Sequence, residues 1–309
     1  MQLSFRMSGG ELARKERGMK VVLFCGGQGL RMRGAGDGLP KPMVRVGSRP
    51  LLWHVMRYYA HWGHKDFVLC LGHGGEAIKE YFVRNEEWRS NDFVLSPGKG
   101  HGPELSGRGA MHDWRITFAD TGAEANIGER LLAVRLHLQG ERMFLANYSD
   151  GLTDYPLPQL IDDARDRGAV CAFLATRPNS SFHFVEQEAD GFVRGIRPVE
   201  ETTLRVNGGF FVFCREIFDR IRPGEELVEE PLARLAEERR LIAHRYDGFW
   251  RCCDTPKDVQ ALEKLQARGP APWELWRRFP AGDGPAAPQD WLGPQFQFRL
   301  APEPEALGG

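Results

Sequence analysis

The sequence predicts an α/β protein, with a mixed, mostly parallel sheet flanked by helices and a β-rich excursion near the middle. Three observations predict it. The apolar runs Val21–Cys25 and Phe67–Leu71 are short and unbroken, as strands buried on both faces are. Between them, Leu51, Leu52, Val55, Met56 and Tyr59 recur at helical spacing. Further runs at Met143–Asn147 and Ala169–Ala175 continue the alternation of strand and helix.

The chain has 309 residues, and 1–18 are polar and glycine-interrupted, which predicts a flexible extension. The stretch Met19–Val46 then opens with the first strand and breaks into Gly26-Gly27-Gln28-Gly29. Arg31 and Arg33 follow, then a glycine-rich span and Pro40-Lys41-Pro42. A buried strand running into glycines and then cations is the pattern of a loop that wraps phosphates with backbone N–H groups. Glycine is needed there because a side chain blocks the approach of backbone to ligand. No Lys-Ser or Lys-Thr follows, so this is not a P-loop. Leu30-Arg31-Met32 also lacks the third glycine of the dinucleotide fingerprint. On the glycines alone, an ordinary strand-to-helix turn fits equally well.

After the first helix, stopped by Gly63, and the second strand, Ala77–Phe82 belongs to a second amphipathic helix. Residues 92–118 alternate in character around a glycine-rich turn from Gly98 to Gly109, and the whole stretch, through Asp113–Asp120, reads as an antiparallel excursion. Ile127–Leu138 is a short helix. The strand Met143–Asn147 leaves through Tyr148-Ser149-Asp150-Gly151. Helix Leu157–Arg167 and strand Ala169–Ala175 precede a hairpin turning at Asp190-Gly191, a strong turn pair. Helices at Cys214–Arg220 and Glu230–Arg239, a strand at Leu241–Tyr246 and a helix opening at Pro256 complete the folded part. One domain is expected over 19–276, in two halves of about 19–150 and 151–276. Residues 277–309, rich in proline, glycine and alanine, read as a disordered tail.

Lys and Arg total 41 against 42 Asp and Glu, so no general attraction to nucleic acid or to a membrane is expected. No stretch approaches the roughly 18 apolar residues of a membrane span, and the N-terminus lacks a signal-peptide core. The six cysteines make no C-x-x-C pair and no zinc spacing. Cys252-Cys253 read as buried filling. A reduced, cytoplasmic protein is expected.

Ligands of open α/β sheets sit beyond the carboxyl ends of the strands. The residues there include Gly26–Arg31, Gly72–Gly75, Tyr148–Gly151, Asn207-Gly208-Gly209 and Arg251–Asp254. Two carboxylates, Asp150 and Asp254, stand at such exits beside a loop of cations. Arginine and lysine neutralise phosphates, and paired carboxylates with phosphate oxygens suit Mg²⁺.

The order of motifs resembles the sugar nucleotidyltransferase family, in particular its cytidylyl branch. It runs through Gly26–Met32, Pro40-Lys41-Pro42-Met43, Trp53–Tyr59, Asp150-Gly151, Asn207–Val212, Gly248-Phe249-Trp250, Asp254-Thr255 and Ala271-Pro272-Trp273. The resemblance covers about residues 19 to 276. It implies a Rossmann-like sheet with a C-terminal sugar-binding portion. It also implies transfer of a nucleotidyl group, from CTP before other triphosphates, to a sugar 1-phosphate with release of pyrophosphate. Thymidylyl or uridylyl transfer, or a non-catalytic binding homologue, are the alternatives.

Carried over residue by residue, the resemblance puts the triphosphate on Gly26, Gly27 and Gly29. Arg31 faces the departing pyrophosphate, Lys41 the reacting phosphates, and Arg130 the nucleotide. Arg31, Lys41 and Asp150 are thereby the catalytic set, and Asp150 and Asp254 hold Mg²⁺. Tyr148, Asn207 and Gly208 line the sugar pocket, and Arg197 takes the place of a lysine on the sugar phosphate. A homo-oligomer is implied as well. Three positions depart from the family pattern: Leu30 replaces a threonine, Ser149 a glycine beside the metal, and Arg197 the lysine.

Overall fold

The computed structural model describes residues 18–27, 39–84, 93–94, 104–105, 109–179 and 182–279. The expected N-terminal extension (save Gly18), the tail beyond Phe279, and Gly29, Leu30 and Arg31 lie outside the described residues. A single sheet of eight strands runs through both expected halves. In chain order they are β1 (Lys20–Phe24), β2 (Asp66–Leu71), β3 (Arg115–Asp120), β4 (Met143–Tyr148), β5 (Cys171–Thr176), β6 (Val206–Asn207), β7 (Phe211–Cys214) and β8 (Leu241–Tyr246). β1 lies parallel to β2 and β4, and β2 parallel to β3. β7 runs antiparallel to both β4 and β5, and β8 lies parallel to β5. The sheet is therefore mixed and mostly parallel, as expected.

Register decides where the strands deliver their loops. Phe24 stands opposite both Cys70 and Tyr148, so β1, β2 and β4 end at one level. Gly26, Gly72 and Asp150 leave the sheet side by side.

The apolar run of β1 serves both faces. Val21 and Leu23 enter one core with Leu51, Met56 and Leu160, while Val22 and Phe24 enter the other with Leu131, Leu232 and Leu235. The helices that cover these faces are α1 (Leu51–His61), α2 (Gly75–Arg84), α3 (Ile127–Ala133), α4 (Leu157–Asp166), α5 (Glu230–Glu237) and α6 (Pro256–Gln266). Burying each large apolar side chain contributes about 1.5–3 kcal/mol. α1 is buried nearly all round, leaving Arg57 and His61 part-exposed. Its far side is covered by Trp273, edge-on to His54, and by Trp276, edge-on to Trp53. No described helix is long and apolar enough to cross a membrane.

One expectation fails. Arg115–Asp120 is not part of an antiparallel excursion but lies parallel to β2 at the rim of the main sheet. An edge strand leaves its residues half-buried, so its sequence alternates as an antiparallel strand does. Among the described residues of the excursion, Phe93–Val94 pairs antiparallel with Glu104–Leu105. The hairpin of His183–Gln187 and Val193–Pro198 forms as its Asp-Gly turn predicts.

β6 and β7 pair with the same edge of β5, which leaves Gly208, Gly209 and Phe210 as a kink between them. Gly209 and Phe210 have φ of 75° and 54°, a region that favours glycine. The cost at Phe210 is offset by its N–H, which donates to buried Asn147 Oδ1 at 2.9 Å. Asn147 is a structural residue that the sequence did not flag.

Candidate active site

Asp150 and Asp254 are far apart in sequence and are joined by a short ladder. Trp250–Cys252 pairs antiparallel with Gly151–Thr153, setting Cys252 opposite Gly151. The Cys253 N–H then donates to the Asp150 carbonyl at 2.9 Å. Asp254 is fixed from its other side by the start of α6. There Thr255 is the N-cap, and the Asp258 carboxylate accepts from Thr255 N at 2.8 Å and Asp254 N at 3.1 Å.

Lys41 meets this pair. It opens a single 3₁₀ turn, Lys41–Met43, after Pro40. Its Nζ donates to Asp150 Oδ2 at 2.6 Å and to Asp254 Oδ1, and lies 4.0 Å from Cys252 Sγ. The Lys41 side chain is only 14% exposed. Burial, the largest single influence, would lower its pKa, but Asp150, Cys252 and Asp254 together outweigh it and leave the pKa raised. Lys41 thus stays protonated. Burial, with Asp150 adding to it, pushes the Cys252 thiol up, so that sulfur stays protonated.

Donor atoms of Asp150, Cys252 and Asp254 lie within 4.8 Å of one another. Two carboxylates are the hard oxygen donors that Mg²⁺ takes, and a protonated thiol does not compete for it. The donor set fits the ion. The sequence reads Cys252 as filling although it lies in the Arg251–Asp254 exit; the structure places its sulfur at the cluster.

Beside the cluster lies a cleft of about 250 Å³ lined by Gly26, Gly27, Lys41, Arg130, Tyr148, Ser149, Asp150 and Glu226, among others. Six of the residues expected at the site, Gly26, Gly27, Lys41, Arg130, Tyr148 and Asp150, share this wall. A cleft of about 290 Å³ lies elsewhere, between Arg45, Pro50, Tyr81 and Arg84. It holds neither the glycines nor the carboxylates, so size does not decide which cleft carries the chemistry.

Arg130 is buried, at 3% exposure. Its Nη1 donates to the carbonyls of Leu71 and Gly122 at 3.2 and 2.9 Å and to Thr121 Oγ1 at 2.8 Å. Its Nη2 donates to the carbonyls of Gly26 and Ala123 at 3.0 and 3.2 Å. One guanidinium therefore ties together the loops that follow β1, β2 and β3. Its helix, α3, begins at a capping box formed by Asn126 and Glu129. Gly26 has no room for anything larger than hydrogen: an added Cβ would stand 2.1 Å from Arg130 Nη1. At Gly27, which also lines the cleft, no atom of the described residues lies within 4 Å of that position.

Tyr148 and Asn207 are brought together, with Asn207 Nδ2 donating to the Tyr148 hydroxyl at 3.3 Å. Gly208 packs its backbone against β5, its N–H donating to the Leu174 carbonyl at 2.8 Å. Its own carbonyl accepts from Trp250 Nε1 at 2.9 Å. The Ser149 hydroxyl turns into the sheet and donates to the Phe24 carbonyl at 3.0 Å. Arg197 is not brought to the cleft. It lies on the hairpin, paired with Glu186 and 5.8 Å from the Phe184 ring centre. Glu226 went unnoticed in the sequence among neighbouring acids. Its Oε2 accepts from Ile127 N at 3.3 Å, while Oε1 is buried with no hydrogen-bond partner among the described residues.

Residues 20–251 match the nucleotidyl transferase family. The chain belongs to that family. A protein of Bacillus subtilis named for glucose-1-phosphate cytidylyltransferase activity is 35% identical over 84% of this chain and the whole of its own length. The glucose-1-phosphate cytidylyltransferase of Salmonella typhi is 34% identical over the same shares. Among solved structures, a UDP-glucose pyrophosphorylase complexed with UDP-glucose superposes with a TM-score of 0.59 at 14% identity. That match covers 81% of this chain and 99% of the pyrophosphorylase, and it shows a shared fold. This nucleotidyltransferase carries its glycine turn, Lys41 and Asp150 inside the matched segment, and Asp254 just beyond it.

Proposed function

We propose that the enzyme transfers a cytidylyl group from CTP to a sugar 1-phosphate, glucose 1-phosphate first, giving a CDP-sugar and pyrophosphate. The observation that carries this reading is the Lys41–Asp150–Asp254 cluster at the mouth of the glycine cleft. The choice of CTP and glucose 1-phosphate rests on the two relatives named for cytidylyltransferase activity, whose whole length this chain matches.

The sugar phosphate attacks as an anion and needs no general base. One of its oxygens forms a bond to the α-phosphorus of CTP as the bond from that phosphorus to the bridging oxygen breaks. The pyrophosphate carries the electron pair away. Catalysis is then alignment of two anions and stabilisation of their charge.

Gly27, with Gly26 and Gly29, lets the backbone approach the triphosphate, and Arg130 holds that turn in place. In this reading Arg130 serves the nucleotide through the loop shape it imposes. Arg31 neutralises the departing pyrophosphate, and Lys41 the phosphates at the reacting centre. Asp150 and Asp254 would hold Mg²⁺, which supplies charge neutralisation between the two anions when bound. Tyr148 and Asn207 orient the hexose beside the kink at Gly208. Arg197 would reach the sugar phosphate only by leaving Glu186. An exposed pair of this kind is worth about 1 kcal/mol or less, so that release costs little.

We place the enzyme in the cytoplasm as a homo-oligomer, a setting that fits its six free thiols. Pyrophosphate release from CTP, Mg²⁺ and glucose 1-phosphate tests the reading. Release with UTP or dTTP in place of CTP would move it to another branch of the family.

A further inference from the structure

Lys41 fills the place that a divalent cation on Asp150 and Asp254 would take. Nζ already occupies the gap between Asp150 and Asp254, 2.6 Å from Oδ2 of the first and hydrogen-bonded to Oδ1 of the second. Mg²⁺ bound to those same oxygens sits at about 2.0–2.1 Å from each. An ammonium left in place would be pressed against a dication with no solvent between them.

We propose that Lys41 is a tethered counter-ion of the carboxylate pair, displaced by the incoming metal and delivered by that displacement to the phosphates. The inference rests on the reading of Asp150 and Asp254 as the metal pair.

Three features support the exchange. The first is charge. Two carboxylates and one ammonium sum to −1; with the dication in place the pair is neutral and a full positive charge is freed for an anionic ligand. The second is the anchor. Pro40 and Pro42 flank Lys41, and the 3₁₀ turn holds its backbone, so the four-carbon stem alone must swing. The third is the destination. Lys41, Gly26, Gly27 and Asp150 line one cleft, so the freed ammonium stays where the triphosphate binds. Metal entry and phosphate contact thereby become one event, and the cation that would repel the metal becomes the one that holds its substrate.

The test needs no turnover. Mn²⁺ binding to the full chain, without nucleotide, is followed by electron paramagnetic resonance for wild type and Lys41→Met. Removing a cation from the site should tighten Mn²⁺ binding by about tenfold or more. Mg²⁺ should also raise the thermal midpoint of Lys41→Met far more than that of wild type, because only the variant has lost the ammonium that lies between the two carboxylates. Equal or weaker Mn²⁺ binding by the variant overturns the proposal. A second measurement uses wild type alone: labelling of Lys41 by an amine-reactive ester, read by mass spectrometry. Mg²⁺ should increase labelling several-fold, and unchanged or reduced labelling overturns the exchange. Absence of Mn²⁺ binding in both proteins, with and without CTP, overturns the metal pair itself and the exchange with it. Metal binding by wild type with unaltered Lys41 labelling overturns the exchange alone.

Discussion

A Cβ on Gly26 would lie 2.1 Å from Arg130 Nη1, and that guanidinium is held by five hydrogen bonds and cannot step aside. The glycine at the end of β1 is therefore required by an arginine more than a hundred residues away. Gly26→Ala should weaken CTP binding and lower stability together. Arg130→Lys should do the same, because one ammonium cannot serve four carbonyls and a hydroxyl. Each carbonyl left buried without a donor costs about 1–3 kcal/mol. Urea denaturation checks this. If Arg130 were only a nucleotide contact, Arg130→Lys would leave the urea midpoint unchanged and alter CTP affinity alone.

Asp150→Asn and Asp254→Asn each remove one charge of the pair while keeping its shape. Turnover should fall by about 10²–10³ or more, the range for losing a main electrostatic contact at a reacting centre. The circular dichroism spectrum should stay that of wild type. Retained turnover in either variant would take that carboxylate out of the metal site.

Arg197 acts only if it leaves Glu186. Arg197→Ala should then raise the KM for glucose 1-phosphate by about tenfold, the worth of one charged hydrogen bond. The KM for CTP should not move. Unchanged values for both substrates would place the sugar-phosphate cation elsewhere.

Two buried histidines make stability depend on pH. His54 Nδ1 accepts from Trp273 Nε1 at 3.3 Å, an indole being a donor only, so Nε2 carries the proton and donates to the Val46 carbonyl at 3.1 Å. Burial holds His54 at about 4, against an ordinary 6.5. Burial does the same to His64, also to about 4. Between those values the unfolded chain binds protons that the folded one refuses. Stability is therefore full above pH 6.5 and is lost as pH falls toward 4, by up to about 1.4 kcal/mol per pH unit for each histidine. Asp154, whose carboxyl burial pushes up, opposes the trend at the acid end. A urea midpoint that stays flat from pH 7 to pH 4.5 would contradict this.

Much of this was legible in the sequence where the signal was local. The run of β1, the glycine turn and the strand-end position of Asp150 each declare themselves within a few residues. Asp254 was legible too, because Thr255-Pro256 marks a helix start immediately after it. The role of Arg130 was not, since its partners come from loops as far away as Gly26 and Leu71. The direction of β3 was hidden because half-burial at a sheet rim imitates antiparallel alternation. Cys252 and Glu226 owe their places to a ladder and a loop that no periodicity announces. Arg197 shows the converse: the sequence motif suggests a phosphate contact, and the fold gives its charge to Glu186.

The most direct test is a matrix of nucleoside triphosphates against sugar 1-phosphates with Mg²⁺, read by pyrophosphate release. The account predicts release with CTP and glucose 1-phosphate well above that with UTP or dTTP, and slower by about 10²–10³ or more once Asp150 is replaced by Asn. No release from any combination would contradict it.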